Sequence, residues 1–293
     1  MEYKSLGNTK ERLSYIGIGT WQLSSDFEEN KKAINLAIEK GVNLIDTAEI
    51  YGTEKIVGDI IEGKENLFVA TKVWATHFRY DSVIKACERS LKNLGIKQID
   101  LYQLHWPNPG INIKETMKAM EKLVYDGKIR YIGVSNFNEK ELKNAQEAMS
   151  KYEIVSNQVE YNLIQRTPEI YLIDYMKKQK ITLLAYSPFA HGAIFKRKYN
   201  NVIKSLNELG EKYNKTAGQL LLRWLMQKDI VIPLTKASNQ KHMLENIAAT
   251  DFNINQKDMG VIDNLTPKNS NLGLSRYKNL IKGYLLFRSL LRL

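Results

Sequence analysis

The feature that most limits what this chain can fold into is its rhythm. Short apolar runs with strand character alternate with amphipathic helical stretches along most of its length. The strand-like runs fall at 16–19, 43–46, 67–71, 99–104, 129–134, 154–158, 181–185 and 230–233, eight in all. Helical segments fit between them at 27–40, 54–61, 82–94, 113–126, 139–150 and 168–178, with a pair at 201–213 and 216–227. The first of these shows the pattern: Ala33, Leu36 and Ala37 recur at i, i+3 and i+4, and Gly41 stops the run. A helix between successive strands acts as a crossover, which makes parallel pairing the natural solution. Eight such units in 293 residues predict an α/β fold, a closed (β/α)8 TIM barrel, a class that typically takes about 250 residues. Residues 3–15 read as a short N-terminal β-hairpin turning near Gly7-Asn8, and the chain ends in a helical tail. No shift of composition marks a boundary, so residues 1–293 are expected to form a single barrel domain.

Composition narrows the function classes. Hydrophobic residues make up 43% and charged residues 26%, enough apolar mass for a large core. No apolar run approaches the ~20 residues that span a bilayer. The opening Met1-Glu2-Tyr3-Lys4 leads into polar residues, not a signal segment. The one cysteine, Cys87, falls in a helical stretch with a packing role expected; it permits no internal disulfide, and a cytoplasmic location is expected. The net charge of +11 suits an anionic cofactor or substrate. Without zinc-finger spacing or an aromatic RNA-binding motif, no nucleic-acid partner is expected. No His-x-His or carboxylate–histidine set suggests a metal site.

In a barrel of this kind, reacting groups gather at the C-terminal ends of the strands. The polar residues found there are Asp46-Thr47, Thr71-Lys72, His105, Ser135-Asn136, Gln158, Tyr186-Ser187 and Lys236. Any one of them is compatible with ordinary rim polarity. An aspartate, a lysine and a histidine crowded on successive strand ends are costly unless paired or functional. Tyr51 follows Asp46 closely enough to fold back over the rim. A phenol has an ordinary pKa near 10 and is a poor acid at neutral pH; a neighbouring Lys72 ammonium, oriented by Asp46, is expected to lower it. With His105 hydrogen-bonding a substrate oxygen, the set makes a general acid aimed at a carbonyl.

These residues resemble the aldo-keto reductase family over nearly the whole chain. The matching motifs are Gly17-Ile18-Gly19-Thr20-Trp21-Gln22, Asp46-Thr47-Ala48 with Tyr51-Gly52, Thr71-Lys72, Leu104-His105-Trp106-Pro107, Gly133-Val134-Ser135-Asn136-Phe137 and Ala185-Tyr186-Ser187-Pro188, in the expected order. The resemblance implies a catalytic tetrad of Asp46, Tyr51, Lys72 and His105, with Tyr51 as the acid in NADPH-dependent reduction of aldehydes and ketones. It implies that Ser135, Asn136 and Gln158 hold the cofactor carboxamide, with Asp46 adjoining. Tyr186 would stack on the nicotinamide and Ser187 contact the pyrophosphate. Gly19, Thr20 and Trp21 would line the site near the ring, and Lys236, Ser238, His242, Glu245 and Asn246 would hold the adenosine end. The absence of a Gly-x-Gly-x-x-Gly turn between strand and helix agrees with this binding mode. Two positions depart from the family: Ala237 stands where many members have serine, and His242 where many have arginine. Arginine gives a permanent forked contact to phosphate that neutral histidine lacks, so NADPH is expected to be preferred with NADH also used. His105, where family members acting on steroid double bonds carry glutamate, implies carbonyl reduction.

Trp21, Trp74 and Trp106 follow strand ends and, with Tyr51 and His105, are expected to wall a substrate pocket. His77 and His191 read as surface loop residues. The tail 276–293 is basic and amphipathic, carrying Arg276, Lys278, Lys282, Arg288 and Arg292 among leucines and aromatics. Docking on the barrel is its expected role, with subunit contact or an anionic membrane surface as the other two readings. The functional alternative is a cofactor-binding redox sensor of the potassium-channel β-subunit type, which can keep the same tetrad. The oligomeric state leaves no mark in the sequence.

Overall fold

A computed structural model describes residues 1–23, 26–236 and 239–268. The hairpin is β1 (Tyr3–Ser5) and β2 (Arg12–Ser14), paired antiparallel. Eight strands follow: β3 (Gly17–Gly19), β4 (Leu44–Asp46), β5 (Phe68–Val73), β6 (Ile99–Leu104), β7 (Ile129–Ser135), β8 (Ile154–Glu160), β9 (Thr182–Tyr186) and β10 (Val231–Thr235). Each pairs in parallel with its sequence neighbour, and β10 pairs with β3 to close the barrel. The helices are α1 (Phe27–Glu39), α2 (Glu54–Ile61), α3 (Tyr80–Leu94), α4 (Ile113–Tyr125), α5 (Glu139–Glu147), α6 (Pro168–Tyr171), α7 (Ile173–Lys178), α8 (Asn200–Tyr213), α9 (Ala217–Met226), α10 (Gln240–Ile247) and α11 (Gln256–Asp263). The expected (β/α)8 barrel with its N-terminal hairpin is therefore what the chain forms. The tail 276–293 lies outside the described residues.

Strand alternation divides the apolar residues into two cores. Ile45, Val69, Tyr102 and Val231 point outward and pack under the helices. Leu44, Phe68, Leu101 and Ile232, each one residue away, and Leu184 beside outward Leu183, point inward at the N-terminal end of the barrel. There Leu6 and Leu13 of the hairpin complete the inner cluster and close that end. Gly7, at φ +53°, makes the hairpin turn; a Cβ on it would stand 2.9 Å from the carbonyl oxygens of Lys180 and Val155. Lys4 ties the hairpin to the barrel wall, its Nζ donating to the carbonyls of Met226 (2.6 Å), Lys228 (2.5 Å) and Val231 (2.9 Å). Further up the barrel, Gly133 is set by crowding: a Cβ would meet Ser156 Oγ at 2.6 Å and Gln103 Cγ at 2.9 Å.

Several boundaries differ from the sequence reading. β5 runs on through Lys72 to Val73, and β8 through to Glu160, because these residues stay buried and paired with β6 and β9. The stretch 168–178 is two helices, broken at Leu172 (φ −139°, ψ −44°). Helices α10 and α11, absent from the sequence reading, start at asparagine caps: Asn239 accepts from the His242 N–H and Asn255 from the Asp258 N–H. Among the described residues no helix is long and apolar enough to cross a membrane.

Candidate active site

Above the apolar inner core, the inward positions turn polar. Asp46, last in β4, and Lys72 of β5 are both buried and form an ion pair at 2.6 Å. The Lys72 ammonium also donates to the Thr47 carbonyl at 2.7 Å. The other Asp46 oxygen accepts from Gln103 Nε2 (3.2 Å) on β6 and from Gln158 Nε2 (2.8 Å) on β8, across the barrel. Each charge thus meets the other and further hydrogen-bond partners, which is what allows them to be buried. Burial draws the Lys72 ammonium below its ordinary value, and the Asp46 carboxylate opposes that pull.

Over this pair sit two aromatic groups. Tyr51 rides a short 3-10 turn, Glu49–Tyr51, after β4. Its ring lies 4.9 Å from Lys72 Nζ, and its hydroxyl stands 3.3 Å from His105 Nε2. Trp74 meets the His105 ring edge-on at 5.4 Å. Burial, then the Lys72 charge, holds the His105 imidazole well below its ordinary pKa, so it is neutral. Its Nδ1 is buried with no hydrogen-bond partner among the described residues. A bare ring nitrogen tolerates that better than an orphaned N–H, so the proton belongs on Nε2, facing Tyr51. Nε2–H and the Tyr51 hydroxyl, which bond to each other at 3.3 Å, can both turn to donate to an oxygen placed between them.

The acidity of Tyr51 departs from the sequence expectation. Its pKa is raised, not lowered, first by burial and then by the Asp46 charge. Lys72 lies against the ring face and makes no hydrogen bond to the hydroxyl, while Asp46 neutralises most of its field at short range. The phenol is thereby kept as a loaded proton donor.

These groups open on a cavity of about 470 Å³. Gly19, Trp21, Asp46, Tyr51, Trp74, His105, Trp106, Ser135, Asn136, Gln158, Tyr186, Ser187 and Lys236 all line it, so residues scattered over most of the chain converge as expected. Lys72 lies beneath the floor. Thr20 is a correction: it is fully buried and does not reach the cavity, its hydroxyl bonding the Asp46 carbonyl (3.1 Å) and Thr53 (2.9 Å). His242, Glu245 and Asn246 stand off the cavity wall on α10, where His242 Nδ1 pairs with Glu245 Oε2 at 3.0 Å. Ser238 lies outside the described residues.

His191 is a second correction. It is exposed, as expected, but it also lines the cavity, bonding Ser187 Oγ at 3.0 Å and meeting Trp21 edge-on at 5.5 Å. Gln22, Ile50, Pro188, Phe189 and Gly192 are further lining residues that the sequence reading missed. They fall in irregular loops with no periodic signal; only proximity to Trp21, Tyr51 and Ser187 could have pointed to them. His77 is a surface residue, paired with Glu49 at 2.7 Å.

One wall suits a flat ring bearing a carboxamide. Asn136, at φ +65°, donates to the His105 carbonyl (3.0 Å) and accepts from the Tyr186 hydroxyl (2.9 Å), beside Ser135 and Gln158. Tyr186 offers its ring next to these amides. The floor at Gly19 is bare backbone, where even a Cβ would meet nothing nearer than Thr235 O at 3.7 Å. The residues present therefore fit a nicotinamide.

Convergent proton donors over a buried ion pair, at the C-terminal mouth of a parallel barrel, are the equipment of a (β/α)8-barrel oxidoreductase. The model of the Aldo/keto reductase family matches residues 15–267. The chain belongs to that family and is an NAD(P)H-dependent oxidoreductase. It is 34% identical to the methylglyoxal reductase YeaE of Escherichia coli over 264 residues, 87% of this chain and 92% of that one. It is 36% identical to the glyoxal reductase of Bacillus subtilis over 259 residues, 86% and 89% of the two chains. Its fold superposes on an aldo-keto reductase from Klebsiella pneumoniae solved in complex with NADPH, with a TM-score of 0.84, 29% identity and 92% and 98% coverage.

Proposed function

We propose that this chain, acting as one domain over residues 1–293, reduces small reactive aldehydes with NADPH, including those carrying a second carbonyl beside the first. The observation that carries the reading is the pair formed by the Tyr51 hydroxyl and His105 Nε2, 3.3 Å apart at the cavity over the Asp46–Lys72 ion pair. The names of the two curated reductases support the substrate class. So does a cavity of about 470 Å³, walled near Tyr51 by Trp21, Trp74 and Trp106. These relatives lend no support to the redox-sensing alternative.

Ser135, Asn136 and Gln158 would hold the carboxamide, Tyr186 the ring face, Ser187 the pyrophosphate, and Lys236 with α10 the adenosine end. When bound, the reduced nicotinamide supplies the hydride. His105 Nε2–H and the Tyr51 O–H direct the carbonyl oxygen toward one point, and Tyr51 gives its proton to that oxygen as negative charge builds there. Of the buried pair, the Lys72 ammonium, 4.9 Å from the phenol ring, would offset part of the negative charge left on Tyr51, against the opposing Asp46 carboxylate. Trp21, Trp74 and Trp106 keep water away from the reacting carbon. Cys87, buried and unpaired, supports a reducing cytoplasm as the setting.

NADPH turnover with a panel of aldehydes, beside Tyr51→Phe, tests this. The variant should lose ~10²–10⁴-fold in kcat, the usual worth of a general acid, with its NADPH Kd unchanged. Full turnover in Tyr51→Phe would remove the assignment. NADPH should be preferred over NADH only modestly, because His242 is exposed and already paired with Glu245. His242→Arg should raise the NADPH:NADH ratio of kcat/KM about tenfold, the worth of one charge-assisted hydrogen bond.

A further inference from the structure

Tyr51 does not sit on a strand. It sits on a three-residue turn in a loop, and a loop turn alone does not hold a reacting atom to ångström tolerance. Within the turn the Tyr51 N–H closes on the Ala48 carbonyl at 3.0 Å. Ile50 is half exposed, and Tyr51 itself faces the cavity. Glu49 is the residue of the turn whose side chain ties it to the loop after β5.

Glu49 is largely buried and reaches across to the loop after β5. Its Oε1 accepts the Trp74 N–H at 3.1 Å and lies 2.7 Å from His77 Nδ1. Its Oε2 is 3.9 Å from Arg89 on α3. The Arg89 guanidinium is exposed and stands at the limit of ion-pair distance, so that contact is worth little, and His77 adds a hydrogen bond from a half-exposed ring. The bond to Trp74 is a charge-assisted contact to backbone, and Trp74 packs edge-on against His105, which in turn faces Tyr51. The contacts run in a ring: Tyr51 turn, Glu49, Trp74, His105, Tyr51.

We propose that Glu49 is a positioning residue whose carboxylate clamps the Tyr51 turn to the Trp74 backbone, and so sets the spacing of Tyr51 and His105. It does not line the cavity, so it acts through these two and never on the substrate. The inference rests on Tyr51 being the proton donor.

The test compares wild type, Tyr51→Phe, Glu49→Ala and Glu49→Gln. Glu49→Ala should lose about 30-fold in kcat, within the ~10²-fold that an ångström of misplacement costs. Its Kd for NADPH should hold, and the primary isotope effect from deuterated NADPH should rise as the chemical step becomes limiting. Glu49→Gln keeps an acceptor oxygen for the Trp74 N–H and should keep most of kcat. Amide exchange at Trp74 should be slow in wild type and in Glu49→Gln, a readout that stands even if Glu49→Ala does not fold. Undiminished kcat in Glu49→Ala, an equal loss in Glu49→Gln, or fast exchange at Trp74 in wild type would each overturn the clamp. Loss of the donor assignment shows separately, as full turnover in Tyr51→Phe.

Discussion

The two ends of this barrel are built from the same strands by opposite rules. At the N-terminal end the inward residues are Leu44, Phe68, Leu101, Leu184 and Ile232, closed off by Leu6 and Leu13 of the hairpin. Two residues further along the same strands, Leu44 gives way to Asp46, and Leu101 to Gln103; four residues along, Phe68 gives way to Lys72. Hydrophobic burial stabilises the closed end without demanding direction. The open end buries a full ion pair, whose desolvation is offset only by fixed geometry. One end stabilises the scaffold; the other spends part of that stability to hold charges where a carbonyl is reduced.

That contrast is open to attack from either end. Lys72→Met at the open end should have the larger effect. It strands the Asp46 carboxylate with only Gln103 and Gln158 as donors. Removing one partner of a buried pair costs about 3–5 kcal/mol, read by urea unfolding, and turnover should fall with it. Leu6→Ala at the closed end should cost about 2–5 kcal/mol for the cavity it leaves, while kcat and KM measured below the unfolding transition stay at wild-type values. A matching loss of kcat in Leu6→Ala would mean that the plug and the site are mechanically coupled, and the division of labour would fail.

The same contrast explains what the sequence discloses. The closed end and the strand–helix layer were legible because Ile45, Val69 and Tyr102 alternate with Leu44, Phe68 and Leu101 in continuous apolar runs. The site residues were legible by the complementary signal, polar groups where such runs stop. That signal marked Asp46, Lys72, His105, Ser135, Asn136, Gln158 and Tyr186, all of which lie on or just beneath the cavity wall. It also ended β5 and β8 too early, since polarity inside a barrel mouth resembles the end of a strand. Thr20, placed at the site by the family resemblance and not by this signal, bonds its neighbours and does not reach the cavity. His191 escaped the signal because its place on the wall depends on the left-handed backbone at Ala190, His191 and Gly192, which no periodicity encodes. The direction of the Tyr51 shift escaped it too: the sequence supplies Lys72 as a neighbour, but burial and Asp46 decide the outcome.

The smallest expected effect is on pH dependence, and it sharpens the contrast between the ends. His105 at the open end has a folded pKa depressed below its ordinary 6.5 by burial and by Lys72. Between that depressed value and 6.5 the unfolded chain binds a proton that the folded chain refuses. The stability His105 permits is therefore complete above 6.5 and declines as pH falls through that window. The inner cluster of the closed end, leucine, isoleucine and phenylalanine, has no titrating group, and the hairpin's Lys4, drawn by burial to about 8, titrates above this window. Urea unfolding of the cofactor-free enzyme across this window, wild type against His105→Gln, isolates the term. Wild type should lose stability on acidification more steeply than the variant, and Leu6→Ala should shift the whole curve down without changing its slope. Parallel curves for wild type and His105→Gln would mean that the imidazole takes up its proton across this window as readily in the folded enzyme as in the unfolded chain. Its Nε2 would then still donate toward the cavity, but Nδ1–H would be a second buried donor in need of an acceptor, and the single-tautomer picture of the proton donors would fall.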